Sequence, residues 1–294
     1  MTILRLAPAL AAFLMVIAPA AARDRPRCDI ELQELGEAKI NHYNALEGGD
    51  YLEGIQLRLR NKGDESCSGQ VRITRISGDP ELSGPHGGKL AYTIVDQNDF
   101  GRVIYDPRTN SGNAIPVTIA GKSTLEIGPK LFVAGSQAGR SGRYVATLEA
   151  GFFSIGEVQA ADTARLNVSA QVTASVQANF VGSTNPRNAR LDLGELVPNK
   201  QGSIGLQVRS SSEYQITFRS ENKGVLKGPS SSTIPYSLTY AGQLIDLTQR
   251  DMREISPSDP VRPSTNLINV TVGQFAGVRA GDYSDEVTIT ISAL

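Results

Sequence analysis

Tryptophan is absent from this 294-residue sequence, and histidine occurs only twice, at His42 and His86. A histidine-rich metal site and a Ser-His-Asp triad therefore have few candidate residues. Sugar binding also loses its best stacking platform when tryptophan is missing. We expect no catalytic residues, no metal site and no cofactor, so a secreted hydrolase is a disfavoured hypothesis.

Charge of one sign is not concentrated in any part of the chain. The formal net charge is −1 at pH 7, and the sequence contains no dense basic or acidic block. Nucleic-acid binding depends on lysine and arginine side chains that neutralise phosphates. We therefore expect no nucleic-acid partner.

Long hydrophobic runs are also lacking, except at the N-terminus. Arg5, the apolar residues 6–18 and the small residues 20–22 match the three parts of a secretory signal peptide. The run is short for a membrane span and is interrupted by Pro8. We expect residues 1–22 to be a cleaved signal peptide and the product to be exported.

Cysteine is as rare as histidine, because Cys28 and Cys67 are the only two. In an oxidising compartment, two cysteines in an exported chain favour a disulfide, and two separate buried thiols are the alternative. On the chain-entropy model, closing a loop of this length stabilises the fold by roughly 4 kcal/mol. We predict a Cys28–Cys67 disulfide.

Helical periodicity is almost missing, and short segments with alternating apolar and polar residues take its place. Glycine, proline, asparagine and aspartate bound these segments, which recur at a spacing of roughly ten to fifteen residues. This spacing is typical of antiparallel sandwiches or barrels. We predict an all-β protein with strands at IQLRLR, QVRITRI, LAYTIV, STLEI, IGLQVR, YQITF, YSLTY, LINVTV and EVTITI.

The longest alternation covers residues 166–180, where the even-numbered positions are apolar and the odd-numbered positions are polar. At about 3.3 Å per residue it would form a strand of roughly 50 Å, far longer than most strands. We interpret it as a strand shared by two sandwiches, with its first part closing one and its second part opening the next.

An internal repeat supports two domains. Residues 142–152, GRYVATLEAGF, align with residues 281–291, GDYSDEVTITI, and both copies enter an alternating strand from a Gly-x-Tyr turn. We predict a signal peptide at 1–22, a first sandwich at 23–164 and a second at 165–294. The first copy is followed by another alternating strand and the second by three residues, so the second sandwich is expected to lack one strand.

Three stretches of the second half resemble one family, the pilins of chaperone–usher fimbriae, in particular the archaic branch with spore coat protein U-like domains. They are residues 191–208, 234–247 and 279–294, and the last carries a Gly-x-Tyr-x-Asp opening. The resemblance implies an incomplete immunoglobulin-like sandwich whose last strand comes from the next subunit by β-strand addition. It implies that the acceptor edge comprises Gly281, Tyr283, Val287, Ile289 and Ile291.

An N-terminal domain in place of a free donor extension resembles the two-domain tip adhesins of these fimbriae. The resemblance implies export to the periplasm, display on the cell surface and three partners: a periplasmic chaperone, an outer-membrane usher and the donor strand of a neighbouring subunit. Many pilin domains of the family contain a cysteine pair, which residues 165–294 lack. The alternative is a periplasmic two-domain assembly chaperone, which we expect to have a complete C-terminal sandwich and a basic cleft.

Attachment through the first domain needs apolar residues on exposed loops, because binding residues are often carried on loops of a rigid scaffold. Two segments between turn residues are candidates, and the tip adhesins that the chain resembles attach through apolar loop tips. The alternative is that these are strand residues that face the core. The predicted surface-binding residues are Phe100, Val103, Ile104, Tyr105, Leu131, Phe132 and Val133.

Overall fold

The computed structural model describes residues 28–76, 78–185, 187–257, 259 and 262–294. The predicted signal peptide lies outside the described residues. Within them strands predominate, and the only helices are two short 3-10 turns at Pro85–Gly87 and Pro229–Ser231. No helix in this part of the chain is long and apolar enough to cross a membrane. The predicted all-β class is confirmed.

The first fourteen strands that the structure describes lie between residues 30 and 172. Their bounds are β1 Ile30–Glu34, β2 Ala38–Tyr43, β3 Tyr51–Gly54, β4 Leu57–Asn61, β5 Cys67–Arg75, β6 Leu82–Ser83, β7 Lys89–Leu90, β8 Thr93–Val95, β9 Val103–Tyr105, β10 Ile115–Ile119, β11 Thr124–Ile127, β12 Lys130–Val133, β13 Gly142–Ser154 and β14 Asp162–Val172. They form three sheets in the orders β1-β4-β11, β10-β5-β13-β14-β2 and β3-β12-β8-β9, and the short strands β6 and β7 lie beside β13.

Alternation along the strands explains how these sheets enclose one core. Every second residue of β14 from Leu166 to Val172 points inward and is at most 1% exposed. The strand runs antiparallel to β13, with Leu166 opposite Leu148. Full burial of a leucine or valine side chain is worth about 1.5–3 kcal/mol, so this hairpin contributes strongly to the first core.

The predicted disulfide between Cys28 and Cys67 is confirmed, with the two Cα atoms 5.6 Å apart. Cys67 is the first residue of β5, and Cys28 lies two residues before β1. Because β1 and β5 belong to different sheets, the bond fastens one sheet to another at the end where both strands begin.

Nine further strands are described between residues 176 and 293. Their bounds are β15 Val176–Phe180, β16 Gln201–Ser210, β17 Tyr214–Ser220, β18 Val225–Lys227, β19 Thr233–Tyr240, β20 Gln243–Ile245, β21 Asp251–Ile255, β22 Ser264–Val272 and β23 Val287–Ala293. One sheet has the order β15-β16-β22-β19-β18, with β20 also paired to β19, and the facing sheet has the order β21-β17-β23. Their inward-facing side chains form a second core that includes Leu206, Val208, Tyr214, Ile216, Phe218, Leu238 and Tyr240.

The long alternation at residues 166–180 is not one continuous strand. β14 ends at Val172, opposite the first residue of β13, and β15 begins four residues later, at Val176, as a partner of β16. Between them, the amide of Thr173 donates to the carbonyl of Tyr43 at 3.0 Å. The two parts of the alternation therefore pair in different sheets, as expected of a segment that two sandwiches share. The domain division between residues 164 and 165 stays a prediction.

The internal repeat extends to the hydrogen bonds of the turns that precede its strands. Tyr144 Oη donates to the carbonyl oxygen of Arg140 at 3.0 Å, and Tyr283 Oη donates to that of Arg279 at 2.7 Å. Each tyrosine follows its acceptor by four residues, so the two turns have the same geometry.

The loop beneath each tyrosine is also repeated. A Cβ atom at Gly84 would lie 2.4 Å from the ring of Tyr144, and one at Gly228 would lie 2.3 Å from the ring of Tyr283. Both positions therefore require glycine for the close approach of the ring. Since the two copies agree in these details, β13 and β23 can be compared residue by residue.

Candidate functional site

β23 is an edge strand, whereas its counterpart β13 lies inside a sheet. β13 pairs with β14 on one side and with β5 on the other. Among the strands that the structure describes, β23 pairs with β17 alone, from Val287 opposite Ser220 to Ala293 opposite Tyr214. One row of β23 backbone N–H and C=O groups is therefore open to a further strand.

The burial of equivalent side chains follows this difference. Leu148, Ala150 and Phe152 of β13 are 0% exposed. Their counterparts in β23, Val287, Ile289 and Ile291, contact the second core but are only partly buried. We define the open side of the second sandwich as the side on which these three residues lie.

The opposite wall of the open side is β15, the edge strand of the facing sheet. Val176 and Phe180 of this strand are also partly buried against the second core. No hydrogen bond joins β15 to β23 within the part of the chain that the structure describes. The open side therefore presents apolar side chains between two edge strands that are not paired with each other.

On the other side of the same sandwich, an ion pair lies between the two sheets. β21 places Arg253 opposite Ile216 and Asp251 opposite Phe218, so both charged residues face the core. The Arg253 guanidinium donates to both oxygens of Asp251 at 3.1 Å and to the carbonyl of Leu244 in β20 at 2.6 Å. This ion pair bridges the two sheets, and the Arg253 hydrogen bond lowers the pKa of the Asp251 carboxyl below its ordinary value.

The two sides of the second sandwich therefore differ in what they offer an added strand. Ile216 and Phe218 of the central strand have Ile291 and Ile289 beside them on the open side and the ion pair on the other. Inward-pointing charges discourage pairing at a sheet edge. Only the open side can continue the apolar layer of the core.

The start of β23 is held in place by one carboxylate. Asp285 accepts hydrogen bonds from Ser220 Oγ at 2.6 Å, from Tyr236 Oη at 2.5 Å and from the amide of Asn222 at 2.9 Å. Burial, followed by the hydrogen bond to the Asp285 carboxylate, raises the pKa of the Tyr236 hydroxyl. The network ties β23 to β17 and β19, so the open edge is fixed on its paired side.

Two of the five residues predicted for the acceptor edge do not lie on it. Gly281 and Tyr283 precede β23, in the turn that packs against Gly228 and Pro229. Gly281 has a φ of 152°, and a Cβ atom there would lie 2.4 Å from the Pro229 ring. These residues therefore shape the turn, whereas Val287, Ile289 and Ile291 lie in the edge strand β23, and their role as an acceptor edge stays a prediction.

The prediction of exposed binding loops at residues 103–105 and 131–133 is wrong for most of these residues. Ile104 and Tyr105 of β9 and Leu131 and Val133 of β12 are at most 2% exposed. Both segments are strands of one sheet, and these side chains belong to the first core. Val103 is partly buried as well.

Phe100 and Phe132 are the predicted residues that keep some exposure. Phe100 is 51% exposed in the turn before β9, and Lys130 Nζ lies 4.7 Å from the centre of its ring. Phe132 is partly buried on the outer face of β12, opposite Leu52. Phe100 therefore lies in an exposed turn, as predicted, whereas Phe132 lies within a strand and not on a loop.

One strongly exposed apolar loop of the first sandwich is not among the predicted binding segments. This loop, residues 155–161, joins β13 to β14 and is called the distal loop below. Ile155 is 71% exposed and Val158 is 89% exposed. The loop lies at the end of β14 opposite Val172, where the chain leaves for β15. A glycine turn with two large aliphatic residues between long strands is the signal that marks it.

Both histidines lie exposed at the surface. Among the described residues, no group of three or more histidine, cysteine, aspartate or glutamate side chains is placed to hold a metal ion.

No family model and no curated protein matches the chain. Solved structures do match. A chain of the CsuC–CsuE chaperone–tip adhesion subunit pre-assembly complex, from archaic chaperone–usher Csu pili of Acinetobacter baumannii, is 15% identical with a TM-score of 0.45, over 87% of this chain and 98% of that one.

Two further structures have similar coverage. CfaE, the adhesive subunit of the CFA/I fimbria of enterotoxigenic Escherichia coli, is 14% identical with a TM-score of 0.43, over 88% of this chain and 94% of that one. The CupB6 tip adhesin from Pseudomonas aeruginosa is 12% identical with a TM-score of 0.36, over 90% and 93%. At these identities and scores the likeness does not show a shared function.

Proposed function

We propose that the protein is an exported two-domain subunit of a chaperone–usher fimbria, and that a strand from another chain completes its second sandwich. The observation that carries this proposal is the partial burial of Val287, Ile289 and Ile291, whose counterparts beside β14 are fully buried. In the first sandwich, β14 supplies the covering strand from the same chain. In the second, the same positions face an open side.

The structure of the first sandwich indicates what the added strand should look like. β14 runs antiparallel to β13 and buries every second residue from Leu166 to Val172. A strand that completes the second sandwich should likewise be extended, with apolar residues at alternate positions. An open apolar edge promotes aggregation until it is paired. We therefore propose a periplasmic chaperone as the first occupant and a neighbouring subunit as the next, with an outer-membrane usher for export.

The attachment function is assigned to the distal loop. The eleven residues of β14 run from this loop to Val172, a length of about 36 Å at the usual rise per residue. Ile155 and Val158 project from it with most of their surface exposed. Exposed apolar side chains at the far end of the first sandwich suit contact with an apolar surface. The solved structures above include adhesive subunits, and the proposal assigns this chain the same kind of role.

The experiment adds the missing strand to the full mature chain, residues 23–294. In the strand-tethered form, Leu294 is followed by a flexible linker as long as the distal loop and then by a copy of residues 162–172. We expect this form to be monomeric and to melt at a higher temperature than the unextended chain. A matched control carries aspartate at the copied positions of Leu166, Val168 and Ala170 and should behave like the unextended chain.

Equal melting temperatures and equal monomer content for all three proteins would refute the proposal, because a complete sandwich gains nothing from an added strand. No observation on the described residues favours the alternative of a periplasmic chaperone.

A further inference from the structure

We propose that the ion pair between Arg253 and Asp251 is a specificity-determining element that prevents strand addition at β21 and so restricts it to β23. This inference rests on the proposed function. β21 is also an edge strand, since it pairs with β17 alone among the strands that the structure describes. Without a device of this kind, the sheet would offer a strand two places to bind.

The register of β21 directs its charges inward. Arg253 and Asp251 lie opposite Ile216 and Phe218, both 0% exposed, whereas Met252 points outward and is 53% exposed. A shift of one residue would bury Met252 and release both charges to solvent. The observed register therefore places two charged side chains against the core, where the shifted register would place an apolar one. An ion pair taken partly out of water gives weak evidence for stability, so a role in specificity explains it better.

Both side chains of the pair are partly buried and form several hydrogen bonds. The side chain of Arg253 is 28% exposed and that of Asp251 is 13% exposed. Besides binding Asp251, the guanidinium donates to the Leu244 carbonyl and to the Gln243 side chain, both in β20. The second Asp251 oxygen accepts from the amide of Asp246 at 2.9 Å. An apolar strand laid against β21 would have to separate these groups or cover them without compensation.

The open side offers no such obstacle. Ile291 and Ile289 lie beside the same two core residues, Ile216 and Phe218, on the other flank of β17. A strand with alternating apolar residues would therefore contact apolar side chains at β23 but an ion pair at β21. The pair therefore decides between the two edges.

The test replaces the pair in the strand-tethered form, whose open side is already filled. The probe is a synthetic peptide of residues 162–172, and native mass spectrometry counts the peptides and chains in each complex. The parent should be monomeric and bind no peptide. The variant Asp251→Leu with Arg253→Leu should bind one peptide or form dimers. The control, Arg58→Leu with Glu126→Leu, removes an exposed cross-strand pair joined at 2.8 Å and should behave as the parent.

A second variant keeps the test decisive if the leucine pair does not fold. Arg253→Gln with Asp251→Asn removes both charges but retains polar atoms, and it should bind more peptide than the parent. Arg253→Lys keeps the charge and loses the bridge to β20, and it should bind none. If neither uncharged variant binds peptide or dimerises, the inference is overturned. A different result would refute the proposed function alone. In that result, the unextended parent chain binds no peptide, although the uncharged variants bind it at β21.

Discussion

A covering strand should change what a single side chain on β23 contributes to stability. Ile289 is partly buried and lies opposite Phe218. Replacing a fully buried isoleucine by alanine costs roughly 2–5 kcal/mol. Because only part of the side chain is covered, we expect Ile289→Ala to cost about 1–2 kcal/mol in the unextended chain, by the scaling of transfer energy with buried area.

In the strand-tethered form, the same substitution should cost about 2–4 kcal/mol, because the added strand covers the exposed part of the side chain. Denaturant-dependent hydrogen exchange of peptides from β17 measures this cost, since these peptides report on the second sandwich. Leu148→Ala in the first sandwich is the benchmark, measured on peptides from β5, with an equal cost in both forms because β14 already covers Leu148. Thr290→Ala, on the outer face of β23, should have little effect in either form.

The reasoning is refuted if Ile289→Ala costs the same in both forms. That result would mean that the added strand does not cover the side chain, whatever it does to the melting temperature. A larger cost for Thr290→Ala than for Ile289→Ala would show that β23 has the opposite face toward the core.

Three further predictions concern the disulfide, the distal loop and the ion pair. Cys67→Ala should cost about 2–5 kcal/mol, and non-reducing peptide mapping should find the bond in the parent chain. Ile155→Ser with Val158→Ser should reduce adsorption to hydrophobic beads while leaving secreted yield unchanged, because both side chains are exposed; equal adsorption would remove the loop from consideration. Asp251 has a lowered folded-state pKa, so its contribution to stability is present above about pH 4, the ordinary range of aspartate, and is lost as pH falls through the lowered value. The stability difference between the parent and Asp251→Asn should therefore shrink in acid, and a difference independent of pH would contradict this assignment.

The sequence predicted the strands and the repeat well because both depend on local order. Alternation, predicted over residues 166–180 and 286–291, indicates which side chains share a face within β14 and β23, and the Gly-x-Tyr turns mark the start of each copy. The disulfide prediction followed from finding only two cysteines in a chain that is predicted to be exported.

Burial of short apolar runs could not be predicted in the same way. The runs at 103–105 and 131–133 stand between turn residues, and a run of three or four apolar residues fits a loop tip as well as a short strand. Only the pairing of β12 with β3 and β8 decides that Leu131 and Val133 face the core. The inward register of Arg253 likewise depends on its partner in β17, which sequence alone does not reveal.

The open side and the Asp285 network belong to one arrangement. An edge strand that must accept a partner has to stay extended and in register before the partner arrives, although one flank contributes nothing to its stability. Asp285 supplies part of this order by joining the start of β23 to Ser220 and Tyr236. A preordered edge lowers the conformational entropy lost on binding, since only the incoming strand has to be fixed. Under the proposed function, the carboxylate that the sequence motif places after Gly-x-Tyr therefore aids strand addition without contacting the added strand.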